Sequence, residues 1–202
     1  LLLDALRPTA YVPIDISADF LRDAAIQLGR EYPWLRIHAV CADFNHSWSF
    51  VEGLPAGKRV IFYPGSTIGN LEPEAAERFL GRVRDIVGTD GGALIGVDLH
   101  KSEERLNAAY NDAQGVTADF NRNVLTQVNS LLGSTFEPSL FTHQAFYDRE
   151  KQRIEMHLVS KEDHTVECNG STIRFTEGET IHTENSYKYT LENFSALALK
   201  AG

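Results

Sequence analysis

Through the first half of the chain, short apolar runs alternate with stretches in which apolar positions recur every three or four residues. Residues 9–16, TAYVPIDI, read as a strand closing on Asp15, and Ser17 stands where it can cap a following helix. That helix carries Phe20, Leu21, Ala24, Ala25 and Leu28 on one stripe, with Gly29 as its stop. Residues 36–41, RIHAVC, predict a second strand that runs into Asp43, and 59–63, RVIFY, a third that leads into Pro64-Gly65-Ser66-Thr67-Ile68-Gly69-Asn70. Pro73 suits the first turn of the next helix, where its missing N–H costs nothing. In that helix Ala76, Phe79, Leu80, Val83, Ile86 and Val87 keep helical spacing up to Gly88. Residues 93–97, ALIGV, predict a fourth strand closing on Asp98. Apolar strands alternating with helices predict an α/β fold with a parallel sheet covered on both faces. Ligands of such sheets sit at the carboxyl ends of the strands, where Asp15, Asp43, Asn70 and Asp98 fall.

After Lys101 the period changes. Two helices are predicted at about 103–112 and 117–132, the second with Phe120, Val124, Leu125, Val128, Leu131 and Leu132 on its buried face. From Phe136 to Tyr189 the chain reads as short alternating strands, and Asn169-Gly170 signals a tight hairpin between TVEC and STIRF. Residues 191–202 read as a helix followed by the start of a turn. Leu1–Leu6 resembles the last turns of a helix already under way, so both ends read as cut from a longer chain.

Composition narrows the function classes. The chain has 202 residues, 43% hydrophobic and 23% charged, the profile of a globular protein. A net charge of −9 argues against a nucleic-acid surface, which needs clustered Lys and Arg. No apolar run approaches the roughly 20 residues of a membrane span, and Leu1–Leu3 lacks the features of a secretory leader. Cys41 and Cys168 form no C-x-x-C and read as free, mostly buried thiols of a cytoplasmic protein.

Several residues could carry chemistry. A carboxylate at the end of a sheet strand, such as Asp15, can accept from both hydroxyls of a ribose; it can equally be a helix-start acid beside Ser17. Asp43 can accept from an adenine amino group while Phe44 covers the base face. In the loop Gly65–Asn70, the two glycines permit close approach of backbone to a ligand. Asn70 offers a donor and an acceptor there, or else caps the Pro73 helix. The loop is no phosphate-binding Walker loop, because no Gly-Lys-Ser/Thr follows. Tyr110 on its own reads as core. Glu184 and Ser186, two apart on a strand, point to one face and can reach one ligand, or else belong to a solvated strand face. The histidines, His38, His46, His100, His143, His157, His164 and His182, form no compact ligand set, so no metal is expected. No G-x-S-x-G elbow supports serine hydrolysis.

Taken in order, YVPIDIS, CADF, FYPGSTIGN, GVDLHK, AYNDAQGVTADFNRNVL, RIEMHL and IHTENS resemble the histidine-specific methyltransferase family over essentially the whole chain. The resemblance implies an α/β, Rossmann-like class I methyltransferase sheet, truncated at both ends, over residues 1–98, to which 191–202 returns. An α+β substrate-binding subdomain is inserted over 99–190. It implies S-adenosyl-L-methionine as cofactor and N-methylation of the α-amine of L-histidine, a step of ergothioneine biosynthesis. Asp15 matches the family's ribose acid, and Asp43 and Phe44 its adenine contacts. Asn70 and Tyr110 match residues that hold the amine and carboxylate of the amino acid. Glu184, Asn185 and Ser186 match the segment that recognises the imidazole, and Met156 lines the same pocket. Asn70 and Tyr110 are expected at the opposite end of that pocket from Glu184 and Ser186. The family's glycine-rich loop, a cofactor-contacting Lys and a substrate Tyr would precede Leu1. The strand that would lie between those leading to Asp15 and to Tyr63 would precede it too. Two competing readings are a methyltransferase of the same family acting on another aromatic amino acid, such as tryptophan, and a non-catalytic methyltransferase-like protein. The pairing of Glu184 with Ser186 favours histidine over tryptophan.

Overall fold

A computed structural model describes residues 2–44, 48, 53–54 and 56–202. The chain packs as two compact units: Leu1–Arg59 with Ile86–Gly91, and Val60–Asp85 with Gly92–Gly202. The class is α/β, as the alternation of strand and helix predicts.

The first unit holds helix α1 (Leu2–Leu6), strands β1 (Ala10–Tyr11) and β2 (Ile14–Asp15), helix α2 (Ala18–Glu31), and strands β3 (Arg36–Ile37) and β4 (Val40–Cys41). Each predicted strand is thus broken in two, because Pro13 and its neighbourhood interrupt the ladder. The bonding continues across the break nonetheless: β1 pairs with β3 and β2 with β4, both parallel, and Val40 donates to Pro13 O. Two expectations for α2 are corrected. Ser17 makes no side-chain cap, and the helix runs past Gly29 to Glu31. Leu21 is its buried residue, while Phe20 is 71% exposed. Cys41 is exposed rather than buried, and both cysteines are free thiols.

The second unit opens with β5 (Val60–Tyr63), which pairs in parallel with β6 (Gly92–Ile95). Helix α3 (Pro73–Val87) starts and stops as its Pro and Gly predict, and buries Ala76, Phe79, Leu80 and Val83. It packs on one face of the pair, with the rings of Phe79 and Tyr63 4.6 Å apart. The expectation of a sheet covered on both faces is not met among the described residues: Val60, Phe62 and Leu94 stay exposed on the other side.

Helices α4 (Glu103–Tyr110) and α5 (Val116–Leu132) then lie against an antiparallel sheet in the order β11-β8-β7. Its strands are β7 (Phe141–Asp148), β8 (Arg153–Ser160) and β11 (Thr180–Tyr187). Strands β9 (His164–Cys168) and β10 (Ser171–Phe175) form the predicted hairpin, turning at Asn169 and Gly170, both with positive φ. The core is Leu125, Phe141, Leu158, Val166 and Phe175, with a second cluster of Leu106, Ala145, Ile154 and Met156. The buried face of α5 differs from its apolar stripe. Asn121 is fully buried, its carboxamide donating to His157 O and bonded to His143 Nδ1, and Leu125 follows one turn on. This rotation leaves Phe120, Val124, Leu131 and Leu132 exposed. Helix α6 (Leu191–Lys200) begins at Thr190, whose hydroxyl accepts from Asn193 N.

Candidate active site

The Gly65–Asn70 loop is shaped by what it must pass. Gly65 and Ser66 both take positive φ, turning the chain off β5 into a 3-10 turn over Thr67–Asn70. Gly69 is buried against β11, where a Cβ would lie 2.9 Å from the Tyr187 carbonyl oxygen. Its lack of a side chain therefore serves the approach of loop to strand rather than of backbone to ligand. The Ser66 hydroxyl accepts from Asp98 N at 2.7 Å and ties the loop to the end of β6. Asn70 is delivered to β11 and caps nothing: its Nδ2 donates to Glu184 Oε1 at 2.9 Å.

On β11 a bulge between His182 and Glu184 resets the register. Beyond it Glu184 and Ser186 share one face, as their spacing predicts. Tyr110, at the end of α4, reaches the same face, its hydroxyl 2.8 Å from Ser186 Oγ. Asn70 and Tyr110 therefore do not stand across a pocket from Glu184 and Ser186; each bonds directly to one of that pair. Met156 pairs with Glu184 across the strands and is buried beneath, in the cluster against which Tyr110 packs. Asn70, Tyr110, Glu184 and Ser186, together with Ser66 and Asp98, line an open pocket of about 570 Å³. That is the size of a small-molecule site with convergent polar groups.

Lys188 and Asp98 complete the cluster. The Lys188 side chain is 0% exposed; its ammonium donates to Ser186 Oγ at 2.6 Å and to Tyr110 Oη at 3.0 Å, and is ion-paired with Asp98 Oδ2 at 3.3 Å. Sequence reasoning missed Lys188, although the two-residue period that links Glu184 to Ser186 extends to it. Burial alone would raise the Asp98 carboxyl, but Lys101 and Lys188 hold it below the ordinary carboxylate range. Burial pushes Glu184 the other way, above its usual value, against the opposing pull of the Asn70 amide and the Lys188 charge.

Asn185 lies between Glu184 and Ser186 and so faces the opposite side of the sheet. There its Nδ2 donates to Glu72 Oε1. Glu72 also accepts from the Tyr187 hydroxyl and from Arg153 Nη1. Arg153 is bonded through Nε and Nη2 to Glu155, whose second oxygen meets His157 Nε2 at 3.1 Å. Burial works against the Glu155 anion, yet Lys151, Arg153 and His157 bring its pKa down to about 2. Glu155, His157 and His182 converge closely enough to suggest a metal triad. Two cations already occupy the carboxylate, however, and the two imidazoles stack at 4.5 Å with planes 11° apart, so their lone pairs run side by side rather than converging. The group is an ion-pair network. His46 lies outside the described residues.

In the first unit, Asp15 and Cys41 are in register at the ends of adjacent parallel strands, and Asp43-Phe44 follow β4. One oxygen of Asp15 accepts from Ser17 N at 2.8 Å, a helix-start contact that leaves its second oxygen for another donor. Phe44 O accepts from Trp48 Nε1. A separate hollow of about 500 Å³ between α2 and β3–β4 is lined chiefly by apolar side chains such as Leu21, Ala25 and Ile37.

A family model described as histidine-specific methyltransferase, SAM-dependent, matches residues 1–202. Curated relatives named histidine N-alpha-methyltransferase from Mycolicibacterium smegmatis and Mycobacterium tuberculosis are 38% and 37% identical over 100% of the chain. The chain spans 64% of the length of each. A solved S-adenosylmethionine-dependent methyltransferase from Clostridium acetobutylicum aligns over 94% of this chain and 62% of its own, with a TM-score of 0.44 and 11% identity.

Proposed function

Since the chain belongs to the histidine-specific, S-adenosylmethionine-dependent methyltransferase family, we propose that the whole protein transfers a methyl group from S-adenosylmethionine to the α-amine of L-histidine. The observation that carries this reading is the set of polar side chains on one face of β11. Glu184 supplies an acceptor and the Ser186–Tyr110 pair supplies hydroxyls, all lining one cavity.

Glu184 has one oxygen committed to Asn70, which leaves the other to accept an imidazole N–H. Ser186 or Tyr110 meets the second ring nitrogen, and Met156 forms the apolar floor. Asn70, with one of its two amide N–H donors on Glu184, offers Oδ1 to the substrate amine. S-adenosylmethionine, when bound, supplies an electrophilic methyl group on a sulfonium sulfur. The protein binds and orients the amine toward that methyl and keeps water out of the line of attack. Asp15 and Asp43 are acceptor-only groups on adjacent strand ends, a donor-free set that fits ribose hydroxyls and an adenine amino group, with the Phe44 ring against the base. Residues 1–98 with 191–202 then chiefly serve the cofactor, apart from the Gly65–Asn70 loop and Asp98 at the substrate cavity, and 99–190 the substrate. Asn185 supports the strand from behind through Glu72. No described helix is long and apolar enough to cross a membrane. The free cysteines support a cytoplasmic setting, and the acidic charge supports a small-molecule partner rather than nucleic acid.

The test is a methyl-transfer assay on the full-length protein, with mass spectrometry locating the added methyl. Transfer to the α-nitrogen of histidine is expected. Methylation of a ring nitrogen, a preference for tryptophan, or binding of S-adenosylmethionine with no transfer at all would each overturn the proposal.

A further inference from the structure

Lys188 belongs to no assigned role, yet it is the most thoroughly buried charge beside the cavity. A lysine ammonium has three N–H donors and no acceptor. Two are spent on Ser186 Oγ and Tyr110 Oη, and the ammonium is ion-paired with Asp98 Oδ2. Asp98, itself held by Lys101, faces the ammonium as its counter-ion.

The consequence falls on the two hydroxyls. Each has one proton and two lone pairs, and each gives a lone pair to Lys188. One of their two protons lies in the 2.8 Å contact between them. The hydroxyl that receives that proton has both lone pairs filled and can only donate. A phenol is a stronger donor than an alcohol, so Tyr110 donates and Ser186 receives. The Ser186 proton is then the one directed at the cavity. Lys188 thus turns an ambivalent hydroxyl into a fixed donor, opposite the fixed acceptor Glu184.

We propose that Lys188 is a positioning residue that sets the direction of this hydrogen-bond chain, so that the cavity presents one acceptor, Glu184, and one donor, Ser186. The complementary ligand is a neutral ring with one N–H and one bare nitrogen. This rests on the histidine reading given above and adds to it that the site selects the neutral form of the imidazole. With Lys188 removed, Ser186 regains a free lone pair and is no longer held as a donor, so it distinguishes a bare ring nitrogen from a ring C–H less sharply.

The experiment compares L-histidine with its analogue carrying a pyrrole in place of the imidazole, which keeps an N–H and replaces the bare nitrogen by C–H. KM and kcat are measured for both in the full-length enzyme and in Lys188→Met, whose side chain has a similar stem and no donors. The wild type is expected to favour histidine strongly. In Lys188→Met that preference should fall on the order of 10-fold or more, mainly through KM for histidine. Adding Lys188→Met to Ser186→Ala should change the preference no further, because the hydroxyl through which Lys188 acts is gone. Lys188→Gln, which removes the charge but keeps a polar end, provides the same comparison should the methionine variant not fold. A folded Lys188 variant that retains the wild-type preference would overturn the proposal. So would failure of both variants to fold, which would assign Lys188 to stability alone. Failure of the histidine reading itself is separately visible, since the wild type would already show no preference for histidine.

Discussion

The two faces of the sheet that ends in β11 carry similar residue types and do different things with them. On the face of Asn185 and Tyr187, Glu72, Arg153, Glu155 and Lys151 form an ion-pair network that binds its charges to one another within the chain; among the described residues Asn185 Oδ1 is buried there without a partner. On the face of Glu184 and Ser186, the polar groups are fixed by Asn70, Tyr110 and Lys188 but keep an unspent oxygen and an unspent proton, and they border a cavity. A buried charge is therefore a poor sign of function by itself. Glu155, with the most perturbed carboxyl of the sheet, belongs to the closed face, whereas Glu184 with its raised value borders the open one. What separates them is residual hydrogen-bonding capacity, the property a ligand uses.

The largest effect expected from breaking this contrast is on stability. Arg153→Met leaves Glu155 and Glu72 without their shared partner in a site where both members of the Arg153–Glu155 pair are about nine-tenths buried. It should cost about 3 kcal/mol in denaturant unfolding, with KM for histidine unchanged; a large rise in KM would join the two faces into one functional unit. The pH dependence has a definite sign. The folded-state pKa of Glu155 lies below its ordinary value, so its contribution is present at neutral pH and is lost as pH falls from the ordinary carboxylate range toward about 2. Acid unfolding followed by circular dichroism should be shifted to higher pH in Arg153→Met.

A smaller effect is expected in the first unit, where Asp15 stands at a strand end with one oxygen uncommitted. Asp15→Ala should weaken binding of S-adenosylmethionine roughly 10-fold to 100-fold, the scale of a charge-assisted hydrogen bond. Histidine binding should change much less. Equal cofactor affinity by calorimetry would return Asp15 to the role of a helix-start acid.

The smallest is a gain. Glu184 has a raised pKa, so ionising it opposes folding, and stability associated with its neutral form is lost as pH rises through that value. Glu184→Gln keeps the acceptor for Asn70 and removes the charge. Its melting temperature near pH 8 should rise by a few degrees at most, while histidine turnover falls. A lower melting temperature would move Glu184 to the closed, structural kind of carboxylate.

Much of this was legible in the sequence where the signal was local. Pro73 and Gly88 bound α3, Asn169-Gly170 turns the β9–β10 hairpin, and the spacing of Glu184 and Ser186 puts them on one face. The same alternation turns Asn185 away, and reading it strictly would have found Lys188. Where the signal needed a partner, the sequence misled. The apolar stripe of α5 names Phe120 and Val124, but Asn121 has two bonding partners on β7 and β8, and their pull decides which side is buried. Gly69 looked like a ligand-facing glycine because nothing local announces that β11, more than a hundred residues on, passes within reach of its Cα.

The proposed reading of a histidine imidazole by the open face of β11 is tested most directly by the ratio of kcat/KM for L-histidine to that for L-tryptophan, measured in the full-length wild type and in Glu184→Ala. A strong preference for histidine is expected in the wild type, falling about 100-fold in the variant, with S-adenosylmethionine affinity unchanged. A wild type that prefers tryptophan, or a Glu184→Ala enzyme with the wild-type ratio, would contradict it.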